Sequence, residues 1–100
     1  MDPNRYIASK IGLAREMSGM SIATLARRAG MTPNALSESL RGNRTLTAAE
    51  LVELALVLEI DLVCFVEKER YDEIVERRRQ VIDEFGTGAG MADLRKVRRQ

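Results

Sequence analysis

The residues with most to offer chemically lie between Thr32 and Arg44. Asn34, Ser37, Glu38 and Arg41 carry hydrogen-bonding or charged groups at the spacing of a helix whose other positions include Leu36 and Leu40. Leucines at i, i+4 share one face, so the four polar residues are left pointing away from it. Such a helix is anchored by its apolar side and shaped to lie in a groove, offering hydrogen bonds and charge rather than a reactive group. Reactive groups are scarce in the rest of the chain. There is no histidine, and Cys64 is the single cysteine, so neither an internal disulfide nor a conventional zinc cluster can be assembled. Without a cysteine pair, a phosphate-cradling loop or a carboxylate dyad, nothing supplies an activated nucleophile, and neither enzymatic activity nor a cofactor or metal is expected. Cys64 lies inside the apolar run Leu62-Val63-Cys64-Phe65-Val66 and reads as a small core hydrophobe.

Short helices must hold those side chains in place. Ser21 suits the cap of a helix running through Ile22, Leu25 and Ala26, because its hydroxyl can accept from an N–H left free in the first turn. Gly30 ends that helix, and Thr32 followed by Pro33 opens the next, since a proline at the first helical position has no N–H to waste. Gly42-Asn43 reads as a turn. Before this pair, residues 4–18 predict a helix with Tyr6, Ile7, Ile11, Leu13, Ala14 and Met17 as its apolar face, stopped by Gly19. After it, Thr47 and Glu50 have the Thr-x-x-Glu spacing of a capping box. That helix carries Leu51, Leu54, Ala55 and Leu58 as a buried stripe, widened by Val52, Leu56 and Val57. Asp61 is placed to cap a short fifth helix through Val66.

The whole pattern resembles the phage repressor and Cro-like family of helix-turn-helix regulators. Over roughly residues 5 to 66, Leu25, Ala26, Gly30, Thr32, Leu36, Arg41, Gly42, Leu51, Leu54, Ala55 and Leu58 fall where the family's framework residues fall. The resemblance implies an all-α fold, a five-helix repressor-like domain, and double-stranded DNA as partner. It places the second helix of the pair in the major groove, with Pro33, Asn34, Ser37 and Glu38 at the base-reading positions. Asn34 is the strongest of these, since its amide can pair bidentately with the adenine edge. Glu38 departs from the neutral or basic residue more usual there; its carboxylate can accept from cytosine N4 or form an internal salt bridge to Arg41 or a nearby arginine. Phosphate contacts are implied for Ser21 at the start of the first reader helix, for Arg41, Asn43 and Arg44 in the loop after the second, and for Arg15 from the first helix of the domain. Ile22 departs from the polar residue more usual beside Ser21.

Charge distribution agrees with that assignment. The net charge of the 100 residues is only +1, but residues 1–46 hold seven basic against three acidic side chains, whereas residues 47–85 hold five against eleven. The basic half coincides with the proposed reader, as counterion release at phosphates requires. A 45% hydrophobic content with only 4% aromatics suits packed helices built on Leu, Ile, Val, Ala and Met, in one domain with an extra element. Residues 1–66 form that domain, and residues 67–85 read as an additional C-terminal amphipathic helix. Tyr71, Ile74, Val75, Arg78, Val81, Ile82 and Phe85 are its candidate dimerisation residues. Ile74, Arg78, Val81 and Phe85 advance in the rhythm of a coiled coil, with a charge in the middle; the alternative is a helix folded back on its own bundle. Residues 86–100 read as a glycine-rich hinge and basic tail, because no strand precedes Gly86-Thr87-Gly88-Ala89-Gly90 to make it a phosphate cradle.

No apolar run approaches the roughly 18 residues needed to cross a bilayer, and the start Met1-Asp2-Pro3-Asn4-Arg5 lacks the basic-then-apolar order of a secretion signal. No membrane association is expected, and a cytoplasmic, nucleoid-associated location is. The expected function is a sequence-specific DNA-binding transcriptional regulator, a homodimeric repressor. The competing reading is an antitoxin or adaptor that binds a protein partner through its C-terminal helix.

Overall fold

A computed structural model describes residues 2–85; residues 86–100, with the expected hinge and tail, and the side chains of Glu84 and Phe85 lie outside the described residues. Four helices open in the same way, on a side chain that accepts from a backbone N–H two or three positions into the first turn. Asp2 accepts from Arg5 N to open α1 (Pro3–Ser18), and Ser21 accepts from Thr24 N to open α2 (Ile22–Arg28). Thr32 accepts from Ala35 N to open α3 (Pro33–Leu40), and Thr47 from Glu50 N to open α4 (Ala48–Leu58). Thr47 N donates back to Glu50 Oε1 at 2.9 Å, completing the expected capping box. A single 3-10 turn (Leu62–Phe65) follows, then α5 (Lys68–Phe85). The described residues are thus all-α, with no strand.

Two of the helix ends shape the α2–α3 pair. Gly30 (φ 74°) and Gly42 (φ 86°) hold the left-handed conformation that lets the following N–H groups turn back, Met31 N to Ala26 O at 2.8 Å and Asn43 N to Glu38 O at 2.9 Å. Both helices of the pair are thereby closed by their own backbone. At the end of α4 the same geometry falls on Glu59, the one non-glycine residue with positive φ among the described residues.

The core of the first unit gathers one face from each of α1 to α4 and Phe65 from the 3-10 turn. Ile11, Leu25, Leu36 and Leu54 are fully buried, joined by Ala26, Ala29, Ala55 and Phe65, with Leu40, Leu51, Val57 and Leu58 packed around them. Four expected apolar positions lie outside it. Leu13 and Met17 on α1, and Val52 and Leu56 on α4, are exposed. Leu13 follows Ile11 by two residues, and Val52 and Leu56 flank Leu54 by two, which places each about 200° round its helix from a core residue.

The last stretch of the domain also departs from expectation. Four residues between Asp61 and the extended Val66 make one 3-10 turn, closed by Cys64 N to Asp61 O (2.9 Å) and Val66 N to Val63 O (3.1 Å), and not an α-helix. Asp61 makes no side-chain cap bond. Phe65 is the buried residue of this turn, while Leu62, Val63 and Cys64 are exposed, so Cys64 is not a core residue.

The chain divides into two compact units at Glu67. The second contains α5, which is laced by Lys68–Asp72, Arg70–Glu73 and Arg79–Glu76 ion pairs. Its Tyr71, Ile74, Val81 and Ile82 are exposed and Val75 is half-buried, while Arg78 has no ion pair among the described residues.

Candidate nucleic-acid interface

The start of α3 is fixed by Thr32 and Pro33, and its inner face by Leu36, which has no exposed surface. Pro33 and Asn34 are consequently exposed at its tip, and the Asn34 amide makes no hydrogen bond among the described residues. Ser37 is half-buried one turn along. Glu38 is committed elsewhere. Its Oε1 accepts from Arg41 Nη1 at 3.2 Å and its Oε2 from Asn43 Nδ2 at 3.0 Å, so the internal salt bridge open to it in the sequence is formed.

Arg44 points the other way along the same loop. Its Nη1 and Nη2 donate to Glu50 Oε1 and Oε2 at 2.9 and 2.7 Å, and Nη1 also reaches the hydroxyl of buried Ser39 at 3.1 Å. This bidentate pair straps the α3–α4 loop to the first turn of α4. The hydrogen bonds from Arg44, then that from Thr47 N, hold the Glu50 carboxyl down at about 2, and the Glu50 hydrogen bond raises the Arg44 guanidinium. Arg41, Asn43 and Arg44, all expected to grip phosphate, are brought together, but each is held by a carboxylate of its own chain.

At the α1–α2 corner, Ser21 Oγ accepts from Thr24 N at 3.1 Å and donates to Thr24 Oγ1 at 3.0 Å. Arg15 Nη1 donates to Met20 O at 2.9 Å, and its buried Nε has no partner. Arg15 therefore ties the end of α1 to the residue preceding the α2 cap. Half-buried Ile22 packs against the core, which accounts for an apolar residue at that position.

Sequence reasoning missed Arg5. It lines a cleft of about 300 Å3 together with Asp2, Arg41, Asn43 and Arg44, formed where the first turn of α1 meets the α3–α4 loop. Only its membership of the basic half marked it in the sequence, because the cleft joins segments more than thirty residues apart. Arg5, Arg27 and Arg28 form no ion pair among the described residues, although Arg28 Nη1 donates to Met20 Sδ at 3.6 Å.

A family model described as helix-turn-helix matches residues 11–63, more than half of the chain and all of α2, α3 and α4. The chain belongs to the helix-turn-helix family. The resemblance to phage repressor and Cro-like regulators is thereby shown, and in general terms this helix-turn-helix protein is a DNA-binding regulator. Nothing among curated proteins and nothing among solved structures matches it. No helix of the described residues is long and apolar enough to cross a membrane.

Proposed function

We propose that this protein is a sequence-specific regulator of transcription that binds double-stranded DNA as a dimer and represses by occupying a promoter. The exposed, uncommitted Asn34 at the tip of a helix pinned from below by Leu36 carries this reading. In it, Pro33, Asn34, Ser37 and Glu38 meet base edges in the major groove, while Arg5, Arg41, Asn43 and Arg44 line the cleft that faces the backbone, and Ser21 and Arg15 set the other end of the pair. One reader helix touches few base pairs, so specificity calls for two copies on an inverted repeat about one helical turn apart. The exposed apolar residues of α5, with Tyr71, Ile74, Val81 and Ile82 foremost, are the pairing surface in this reading. Selection of bound duplexes from a random pool tests it. Recovery of an inverted repeat with adenine opposite Asn34 is expected; a pool that stays random after repeated rounds contradicts sequence-specific binding.

A second reading rests on Arg78. It has no ion pair among the described residues, and its neighbours three and four residues away are Ile74, Val75, Val81 and Ile82. Parallel copies of α5 bring two such arginines together, whereas a different protein helix with a carboxylate in its apolar face satisfies it. Sedimentation separates the two: a dimer of the isolated protein supports self-pairing, and a monomer supports the heterologous partner.

A further inference from the structure

Glu38 occupies two of the three side chains that the end of α3 and its loop offer to a phosphate. One oxygen takes Arg41 and the other takes Asn43, while Glu50 takes Arg44. The two carboxylates differ in how firmly they hold. Glu50 receives both guanidinium nitrogens of Arg44 at 2.9 and 2.7 Å, with Glu50 20% and Arg44 34% exposed, whereas Glu38 receives a single nitrogen of Arg41 at 3.2 Å, with Glu38 33% and Arg41 67% exposed. The first is a strap; the second is open to exchange.

We infer that Glu38 is a specificity-determining residue that couples base reading to phosphate grip, by releasing Arg41 and Asn43 only when a cytosine amino group takes their place. The inference rests on the DNA-binding reading of α3. On duplex without the right base, the Glu38–Arg41 pair carries no net charge and displaces no counterion, and freeing Arg41 strands a carboxylate in the field of the phosphates. The loop then grips weakly. At a cognate site, a cytosine N4 amino group donates to Glu38, and Arg41 and Asn43 turn to the backbone. Discrimination is thereby raised by suppressing non-specific binding, not by adding a contact to the correct site alone.

The full chain, its Glu38→Gln and Arg41→Ala variants, and the double variant are titrated against random duplex and against a selected site across a salt series. Glu38→Gln is expected to bind random duplex several-fold more tightly, with a log–log salt slope steeper by about one, and to lose about tenfold or more in the ratio of selected to random affinity. Arg41→Ala alone flattens the slope more on the selected site than on random duplex, and added to Glu38→Gln it removes the steepening. A purely structural role for Glu38 predicts none of this pattern. If wild-type protein binds duplex but Glu38→Gln leaves slope and ratio as they were, or Arg41→Ala flattens both slopes equally, the coupling is overturned while DNA binding stands. If wild-type protein binds no duplex at low salt, the DNA-binding reading itself is overturned.

Discussion

Asn34 and Glu38 lie one turn apart on α3, and the structure leaves only the first uncommitted. In the proposed DNA complex, removing the Asn34 amide deletes a base contact and nothing internal, so Asn34→Ala is expected to cost about 1 to 3 kcal/mol on a selected site and little on random duplex, read by fluorescence anisotropy. Glu50 has the opposite character, since all its bonds are internal. Its carboxyl is held at about 2 in the folded protein against an ordinary 4.5, so its stabilising effect is complete above about 4.5 and disappears as pH falls toward 2. Glu50→Gln removes that dependence: thermal melts between pH 6 and pH 3 are expected to show a smaller loss of Tm than the wild type. At this scale the sequence was legible where partners are near neighbours. Thr47 and Glu50 announced their capping box, and the Glu38–Arg41 salt bridge was one of the two alternatives open from the place of Glu38 on α3. The Arg44–Glu50 pair and the cleft containing Arg5 were not, because they depend on the path of the α3–α4 loop and not on a helical spacing.

The helices themselves were readable from caps and stops, since Ser21, Thr32, Thr47, Gly19, Gly30 and Gly42 act locally. Which arc of each helix is covered was less so. Leu13, Met17, Val52 and Leu56 are apolar yet face away from the core, because leucine-rich helices show more hydrophobic surface than one packing face can bury. The run at Leu62–Phe65 departs for a related reason: its apolar content suggests a buried helix, but it forms a single 3-10 turn with only Phe65 inside. The end of α4 yields a test. Glu59 sits at φ 56° and ψ 43°, a conformation that costs a side-chain-bearing residue roughly 1 to 2 kcal/mol, against roughly 0.5 to 1 kcal/mol for the greater freedom of an unfolded glycine. Glu59→Gly is therefore expected to stabilise the protein by about 1 kcal/mol or less in urea denaturation; a lower midpoint contradicts the assigned backbone geometry.

On the scale of the whole molecule, a near-neutral chain segregates its charge. Its basic half contains α2, α3 and every charged residue lining the Arg5 cleft, while the acidic side chains concentrate after residue 46 and through α5. The core residues all lie before Glu67, so truncation after that residue is expected to keep the helical circular dichroism of the first unit. If α5 is the pairing element, the truncated protein sediments as a monomer and loses affinity for an inverted repeat; a dimer persisting without α5 moves the interface into the first unit. The central claim is that α3 and its following loop are a DNA-reading surface. Binding of the full chain to random duplex between about 50 and 200 mM salt tests it most directly, because neutralised phosphates release counterions in proportion to their number. Affinity falling steeply and linearly on a log–log plot is the expected result, and an affinity that is absent at low salt or indifferent to salt contradicts it.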